Sequence, residues 1–226
     1  MSDELTIRPI AHIETDFQTK FGIPRQAGIT DLLRGKIVFT PEYRVGEALR
    51  GLEGFSHIWL IWGFSEHFGR DWSPTVRPPR LGGNTRMGVF ATRSPFRPNS
   101  LGLSCVRLCE IRKEGSLGTV LIVSGADMLD GTPIYDIKPY LPYSDSLPDA
   151  RGGFAPAADR LLRVEADPAL LDTIPMEKRE ALLSVLANDP RPHYQHDPSR
   201  VYGMGFAGRE IRFSVDGEVL TLLSVE

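Results

Sequence analysis

The sequence predicts a mainly β fold, in which a β-barrel or β-sandwich is followed by a small α+β domain. Up to about residue 145, apolar or alternating segments are separated by Gly and Pro turns and leave little room for helices. The composition then shifts at SDSLPDARGGFAPAADR, which is rich in Pro, Gly, Ala and Asp and is typical of a linker. We therefore expect one domain over residues 1–148 and a second over residues 149–226.

The strands of the first domain are predicted from their hydrophobic patterns. LTIRPIAHIET alternates apolar and polar residues and predicts an opening strand, whereas FSHIWLIWGF is a continuous apolar run typical of a strand buried on both faces. The other predicted strands are GKIVFTP, MGVFAT, LSCVRLCEIR, LGTVLIVSGA and TPIYDIKPY, and the last is ended by Pro139 and Pro142. After GKIVFTP, the stretch PEYRVGEALRGLEG can hold one short helix with Gly51 near its end.

The second domain combines a helix with a hairpin. PMEKREALLSVLAND has helically spaced apolar residues, with Pro175 at the first turn and Asn188 at the end. DPRPHYQHDPSRVYG then predicts a rigid loop. REIRFSV and EVLTLLSV flank Asp216 and Gly217, a strong hairpin signal.

The overall composition is that of an ordinary globular protein. The 226 residues are 41% hydrophobic and 24% charged, no apolar run approaches membrane-spanning length, and the N-terminus lacks the features of a secretory signal. Cys105 and Cys109 lie four apart on a predicted strand, too far for a disulfide, so we expect two buried free thiols. Together these features predict a cytoplasmic location.

The histidines do not predict a metal site. The five histidines are scattered, and although His193 and His196 are three apart, no cysteine or acid is placed to complete a ligand set. We therefore expect no bound metal.

The most informative feature is the arginine segment, residues 77–107, which reads RPPRLGGNTRMGVFATRSPFRPNSLGLSCVR and contains no lysine and no acid. Its arginines are Arg77, Arg80, Arg86, Arg93, Arg97 and Arg107. Because the whole chain has a net charge of −3, these six positive charges leave −9 for the rest. Arginine without lysine indicates bidentate recognition of carboxylate or phosphate groups by most of these side chains, although a solvated arginine is the default interpretation of each one alone.

Two other clusters could contribute to a site. FGIPRQAG holds Arg25 and Gln26 on a loop stiffened by Pro24. GADMLDGTPIYDIKPYLPYSD contains Asp127, Asp130 and Asp136, opposite in sign to the arginine segment. The simpler interpretation of an aspartate before glycine is turn formation.

Common catalytic motifs are absent, and the residues alone leave several functions open. The sequence has no P-loop, no GxGxxG after a strand and no GxSxG elbow. One alternative is a non-catalytic RNA-binding β-barrel in which the arginines bind phosphate. Another is a hydrolase with paired Asp127 and Asp130, although no nucleophile or metal set accompanies them. Trp59 and Trp62 are more simply explained as core residues than as a base-stacking platform.

The order of several motifs resembles one family. FGIPRQAG, GLEGFSHIWLIWGF, the arginine segment, DMLDGTPIYDIKPYLPYSDSLPDA and DPRPHY together resemble the TsaA-like or TrmO family of tRNA methyltransferases. The resemblance implies S-adenosylmethionine as cofactor and N6 of threonylcarbamoyladenosine, next to the anticodon, as methyl acceptor. It also implies a β-barrel catalytic domain unlike the Rossmann methyltransferases, with the cofactor bound near a homodimer interface.

The resemblance further implies a set of cofactor-binding residues. They lie in the PRQ stretch, in the two residues after the buried strand FSHIWLIWGF, and in the ATRS, LGLS and DGTP motifs. At the two residues after that strand, here Ser65 and Glu66, relatives often have a histidine. The implied residues are Pro24, Arg25, Gln26, Ser65, Glu66, Arg93, Leu103, Asp130, Gly131, Thr132 and Pro133. An arginine fork suits the carboxylate of the cofactor, and an apolar wall suits its adenosine.

The reaction calls for a proton acceptor and for groups that hold the RNA. The acceptor nitrogen is a poor nucleophile while protonated, so we hypothesise that Asp136 or Asp127 acts as the base. The candidates to hold the threonyl carboxylate and flanking phosphates are Arg86, Arg97 and Asn99. In the second domain, Arg191, Tyr194 and Arg200 either clamp the tRNA or merely accompany a turn from helix to strand.

Overall fold

The structure is a computed structural model that describes residues 4–156, 160–192, 195 and 197–226. Its N-terminal part is a closed barrel of six strands: β1 (Ala11–Glu14), β2 (Arg34–Phe39), β3 (His57–Gly63), β4 (Leu101–Lys113), β5 (Thr119–Ser124) and β6 (Thr132–Pro139). Their order around the barrel is β1-β2-β5-β4-β3-β6, and every pairing is antiparallel. The predicted mainly β fold is confirmed, and the alternative of a sandwich is wrong.

Alternation along the strands places the barrel core. Ile58 and Leu60 on β3 point inward and are fully buried, as is Val106 on the neighbouring β4. Residues between them face outward, so the outer surface of β4 exposes Leu103. Because side chains alternate with a period of two, burying one apolar set inside a barrel leaves the other set outside.

Two predicted elements of the barrel domain differ from the structure. MGVFAT forms a strand only at Met87–Gly88, paired with Thr75–Val76, and continues as a 3-10 turn at Val89–Ala91. The barrel is closed, so this segment has no other strand edge to join. PEYRVGEALRGLEG forms separate 3-10 turns at Pro41–Tyr43, Gly46–Leu49 and Leu52–Gly54 in place of one helix, because Val45 is extended and Gly51 has a left-handed φ of 88°.

The cysteines lie on the outward face of β4. Both thiols are free, as expected, but Cys105 is only partly buried and Cys109 is exposed. The expectation of two buried thiols was therefore wrong, because the inward positions of this strand are occupied by Ser104 and Val106.

The C-terminal part is an α+β unit, as predicted. After helix α1 (Pro142–Asp145) in the connection, its elements are β7 (Arg163–Glu165), α2 (Pro168–Leu171), α3 (Met176–Ala187), β8 (Tyr202–Phe206), β9 (Arg209–Asp216) and β10 (Val219–Val225). The sheet has the order β8-β9-β10-β7, with β7 parallel to β10 and the other pairs antiparallel. The predicted helix and hairpin are confirmed, and Gly217 supplies the positive φ, 57°, that the tight turn requires. No helix within the described ranges is long and apolar enough to cross a membrane.

A segment of the N-terminal part packs into the C-terminal core. We call residues 15–28, between β1 and β2, the anchor segment. Phe17 is 1% exposed and meets Phe206 edge to face, with ring centroids 5.6 Å apart. Phe21 stacks on Tyr202 and on Phe213, at 6.4 Å from each. Since a fully buried aromatic side chain contributes roughly 1.5–3 kcal/mol, the burial of Phe17 holds the segment firmly against the second sheet, and the partly buried Phe21 adds to it.

Candidate functional site

A cavity of about 590 Å³ opens between the anchor segment and the outer face of the barrel. Its walls come from the anchor segment, the end of β3 with the turn that follows, the arginine segment and the residues after β5. This volume lies within the range of small-molecule sites, about 300–1,000 Å³. The barrel strands supply a rigid wall, and the loops supply the polar groups.

The structure brings together most of the residues predicted to bind the cofactor. Those that line the cavity are Pro24, Arg25, Gln26, Ser65, Glu66, Arg93, Leu103 and Thr132, together with Asp127 and Arg97. Predicted residues outside the cavity lining are Asp130, Gly131, Pro133, Asp136, Arg86, Asn99 and Arg191. The described residues predicted to bind the cofactor therefore lie mostly in the cavity lining, whereas most of those predicted for RNA contact or catalysis do not.

Asp127 lies at the end of a buried hydrogen-bond chain. The indole Nε1 of Trp62 donates to Ser104 Oγ over 2.9 Å, and that hydroxyl donates to a carboxylate oxygen of Asp127 over 2.6 Å. Burial raises the pKa of Asp127, while hydrogen bonds from Ser104 and from backbone N–H groups, including that of Ala27, lower it. The site thus presents an oriented carboxyl group whose pKa burial keeps above its ordinary value.

Close packing between β3 and β4 fixes this chain. Gly102 lies opposite Trp62 in the strand register, and a Cβ at Gly102 would lie 2.3 Å from Cε2 of the indole. Trp62 is 6% exposed and also meets Phe64 at a centroid distance of 4.4 Å. The glycine in LGLS therefore allows the indole to lie directly on the neighbouring backbone, with Nε1 aimed at Ser104.

Two polar contacts connect the anchor segment to the opposite walls. Arg93 Nη1 donates to the side-chain oxygen of Gln26. Lys20 pairs with Glu66 at 2.5 Å, and its hydrogen bond lowers the pKa of Glu66. Glu66 therefore forms an ion pair with Lys20, whereas the hydrogen-bond donors to Asp127 are the Ser104 hydroxyl and backbone N–H groups.

His67 is a cavity residue that the sequence did not single out. It follows Ser65 and Glu66, is 8% exposed and meets Phe96 edge to face at 4.9 Å. Burial lowers the pKa of His67, and the nearby positive charge of Lys20 lowers it further, so the neutral imidazole is favoured. His67 was missed because the family resemblance implied only Ser65 and Glu66 in this turn.

Other lining residues were missed because their sequence pattern indicates packing. Trp62 is part of the barrel core, as expected, but its indole edge also borders the cavity, and Trp59 is only partly buried and borders it as well. Ser104 is a small polar residue at an inward position of β4. A polar residue within an apolar alternation was the only sequence signal for it.

The remaining arginines of the arginine segment have different surroundings. Arg97 Nη1 donates to the carbonyls of Thr92 and Ser94, at 3.1 and 3.3 Å, and so fixes the loop. Arg86 is exposed and donates to Thr75 Oγ1 at 2.8 Å. Arg77 and Arg107 are exposed, and Arg80 is partly buried. The segment thus supplies two arginines to the cavity lining, Arg93 and Arg97, of which Arg97 also fixes its own loop, and it carries further exposed arginines elsewhere.

The other two aspartates have structural partners away from the cavity. Asp136 pairs with Lys138 at 2.9 Å and accepts from the backbone N–H of Ile137. Asp130 accepts from the backbone N–H of Thr15 at 2.9 Å, before Gly131 at a φ of 75°. Turn formation therefore explains Asp130, and the paired-aspartate hydrolase loses its geometric basis because Asp130 does not share the cavity with Asp127.

The predicted tRNA contacts of the C-terminal part are only partly described. Arg191 is 7% exposed and forms a bidentate pair with Asp189, at 2.8 and 2.9 Å. A buried guanidinium of this kind does not face an RNA, which favours the turn interpretation. Arg200 is exposed and lies 5.3 Å from the ring centre of Tyr202. Tyr194, like His193 and His196, lies outside the described residues.

Among the residues that the structure describes, no group of three His, Cys, Asp or Glu side chains is placed to hold a metal ion. The charged groups that line the cavity are instead the cations Lys20, Arg25, Arg93 and Arg97 and the carboxylates Glu66 and Asp127. This arrangement suits a zwitterionic organic molecule with an apolar part.

Comparisons with known proteins agree over the full length of the chain. Residues 12–146 match the family model of the tRNA-methyltransferase O N-terminal domain, and residues 160–226 match that of the TrmO C-terminal domain. The tRNA (adenine(37)-N6)-methyltransferase of Escherichia coli K12 is 39% identical over 229 residues, which cover 96% of each chain. A Pseudomonas aeruginosa protein whose name describes an S-adenosylmethionine-dependent methyltransferase is 43% identical over 207 residues, covering 88% of this chain and 87% of that protein.

A solved structure shows the same fold. The crystal structure of TrmO from Pseudomonas aeruginosa superposes with a TM-score of 0.76 at 33% identity, covering 99% of both chains. Similarity at this coverage extends to the barrel, the anchor segment and the C-terminal sheet together. The chain belongs to the TrmO family.

Proposed function

We propose that the protein is an S-adenosylmethionine-dependent methyltransferase that methylates N6 of threonylcarbamoyladenosine at position 37 of tRNA, next to the anticodon. The names of the relatives support the tRNA adenine and the cofactor. The observation that carries the proposal is the cavity, which is lined by the cationic Arg93 and Lys20 and by the oriented Asp127 carboxyl. A tRNA substrate would place the protein in the cytoplasm.

The residues present fit this cofactor. Arg25, Gln26 and Arg93 offer donors for its carboxylate, and Leu103 with Trp62 offers an apolar wall for its adenosine. The cofactor is a sulfonium cation that supplies an activated methyl group when bound. A strongly anionic pocket would stabilise such a cation more before transfer than during it, and here Glu66 is already paired with Lys20.

The main contribution of these residues is to position the reactants. The rigid β3–β4 wall and the contact between Arg93 and Gln26 hold both sides of the cavity at a fixed separation. Correct alignment of donor and acceptor can contribute about 7–11 kcal/mol to lowering the barrier. We assign Pro24, Ser65 and Thr132 to the same cofactor wall.

We assign the role of proton acceptor to Asp127 and no longer to Asp136. Among the described residues that line the cavity, Asp127 and Glu66 are the carboxylates, and Glu66 has Lys20 as its partner. A carboxylate oxygen of Asp127 accepts the proton that N6 loses, and Ser104 keeps that carboxylate oriented. The raised pKa of Asp127 makes it a stronger base than an exposed aspartate.

The exposed basic surface binds the RNA. Arg86 and Asn99 are exposed on loops of the arginine segment and are assigned to phosphate and threonyl carboxylate groups of the anticodon loop. Such contacts release counterions, so tRNA affinity should fall steeply as salt is raised. Affinity that does not change between low and moderate salt would contradict this assignment.

We also propose that the protein is a homodimer. Apolar side chains are exposed on the barrel and on the arginine segment: Leu103, which is on the outer face of the barrel and lines the cavity, is 56% exposed, and Phe90 and Phe96 of the arginine segment are 75% and 41% exposed. An apolar surface of this kind is typical of a protein interface. A second copy would cover it and border the cofactor. A monomeric mass by sedimentation at micromolar concentration would exclude this arrangement.

The test of the proposed function is nucleoside mass spectrometry. The protein is incubated with S-adenosylmethionine and with tRNA that carries threonylcarbamoyladenosine, beside tRNA that lacks this group. One added methyl group on the modified adenosine, and none on the bare tRNA, is the expected result. If the protein binds S-adenosylmethionine but methylates neither tRNA, it would still be a methyltransferase, but threonylcarbamoyladenosine would be excluded as its substrate. If it shows neither binding nor methylation, a non-catalytic RNA-binding protein would be favoured.

A further inference from the structure

The turn after helix α3 contains an ion pair that the fold alone does not require. Arg191 is 7% exposed, and its Nε and Nη2 atoms donate to the two carboxylate oxygens of Asp189 at 2.8 and 2.9 Å. Buried ion pairs contribute little net stability, because desolvation offsets the attraction. The C-terminal core is already supplied by apolar residues such as Leu182 and Phe213, both fully buried. The pair therefore calls for a second explanation.

The same turn is in contact with the cavity. Arg25 Nη2 donates to the backbone carbonyl of Arg191 and to that of Asp189, the latter at 3.2 Å. Arg25 belongs to the anchor segment and lines the cavity. Two carbonyl acceptors on one guanidinium nitrogen restrict the direction of the whole planar group.

The backbone of this turn is in a conformation that needs support. Asp189 has a φ of 47°, in the left-handed region that is uncommon for residues other than glycine. Its carboxylate accepts from the backbone N–H of Arg191 at 3.2 Å as well as from the guanidinium. The ion pair therefore keeps the carbonyls of both residues directed toward Arg25.

We propose that Asp189 and Arg191 are positioning residues, which act on cofactor binding from the C-terminal domain by fixing the Arg25 guanidinium at the cavity. This inference rests on the proposed function, since it takes S-adenosylmethionine as the ligand. It assigns the arginine of DPRP to the cofactor site in place of the tRNA. The C-terminal domain then contributes to the cavity that lies against the other domain.

The experiment measures cofactor affinity by titration calorimetry on the full chain. Asp189→Asn retains the size of the side chain and tolerates the left-handed φ, but it removes the charge. We expect it to raise the Kd for S-adenosylmethionine about tenfold, because groups in one network are coupled by amounts of this order. The matched control is Asp172→Asn, which removes another aspartate–arginine pair of the same domain, with Arg179 at 2.7 Å. The control should leave the Kd unchanged.

A double-mutant cycle and steady-state kinetics separate positioning from a merely structural role. Arg25→Lys should weaken the cofactor by a similar factor, and the double variant with Asp189→Asn should be no weaker than Arg25→Lys alone. The KM for the cofactor should rise while kcat at saturating cofactor stays within about twofold. Additive effects in the double variant, or an unchanged Kd in Asp189→Asn, would overturn the inference.

Hydrogen exchange on the unaltered protein provides a test that does not depend on how the variants fold. Saturating cofactor should slow amide exchange at Asn188, Asp189 and Arg191, because binding at Arg25 holds the turn. Exchange there that is unchanged by bound cofactor would overturn the inference while the proposed function stands. If the unaltered protein binds no S-adenosylmethionine at all, both the inference and the proposed function fail.

Discussion

Replacing Gly102 by alanine should lower the stability of the barrel and disturb the cavity at the same time. A Cβ at this position would lie 2.3, 2.4 and 2.7 Å from Cε2, Cζ2 and Cδ2 of Trp62. The indole cannot withdraw easily, because it is 6% exposed, packs on Phe64 and donates to Ser104. Overpacking of a core costs about 1–3 kcal/mol, and contacts this short favour the upper part of that range.

The consequences can be measured separately. A loss of about 2–3 kcal/mol corresponds to a fall in Tm of roughly 4–12 °C for a protein of this size, measured by calorimetry. Displacement of the indole also removes the donor that orients Ser104, so methylation should fall by about tenfold or more. Tryptophan fluorescence should report the altered surroundings of Trp62.

The control for this variant is Gly54→Ala. Among the described residues, no heavy atom lies within 4 Å of a Cβ at Gly54, and its φ is not in the left-handed region. It should retain the Tm and the activity of the parent. If Gly102→Ala behaved like this control, the close approach of Trp62 and the backbone of β4 could not be what orients the cavity carboxylate.

Three further predictions concern the charged and nucleophilic groups. Because only the ionised carboxylate of Asp127 accepts a proton and burial raises its pKa, turnover should fall as the pH drops through a value above the ordinary 3.8 of aspartate. Asp127→Asn should reduce kcat by about a hundredfold or more and remove that acidic limb, and an unchanged pH profile would exclude Asp127 as the base. Asp136→Asn, in contrast, should keep its turnover in the nucleoside assay, since Asp136 pairs with Lys138 away from the cavity, and a large loss would return it to candidacy. Burial raises the pKa of the Cys105 thiol, so iodoacetamide should label Cys105 more slowly than the exposed Cys109, as measured by peptide mass spectrometry. Bound cofactor should slow the labelling of Cys105 further, because this residue lines the cavity. A labelling rate of Cys105 that does not change with cofactor would contradict this placement of the cofactor.

The strands of the barrel could be predicted because their signals are local. Alternation in LTIRPIAHIET and the continuous run in FSHIWLIWGF each reflect the surroundings of one strand. The resemblance to the family likewise located the PRQ loop and Arg93, which the structure brings together at the cavity. The opening strand was nevertheless shorter than its pattern, and Leu5 is 85% exposed.

The features that could not be predicted depend on contacts between distant parts of the chain. Phe17 and Phe206 lie far apart in the sequence, and no local pattern indicates that the anchor segment belongs to the C-terminal core. Whether Asp136 lies at the cavity depends on which face of β6 it occupies. A register irregularity between Ile61 and Trp62 on the neighbouring β3 alters that pattern, and the sequence does not show this irregularity. The burial of Arg191 could not be predicted either, because the sequence shows only an arginine between two prolines and does not show that its side chain turns back to pair with Asp189.

The packing of the anchor segment has a consequence for the order of events during synthesis. Phe17 and Phe21 emerge from the ribosome long before their partners on β8 and β9, which lie much later in the chain. At typical translation rates the interval is roughly 10–40 s, long enough for a barrel to form first. During that time the nascent chain has two aromatic side chains without their binding surface, and one wall of the cavity is unsupported. Ligand capture would then wait until β8 and β9 have been made, and chains that terminate before these strands would be left without it.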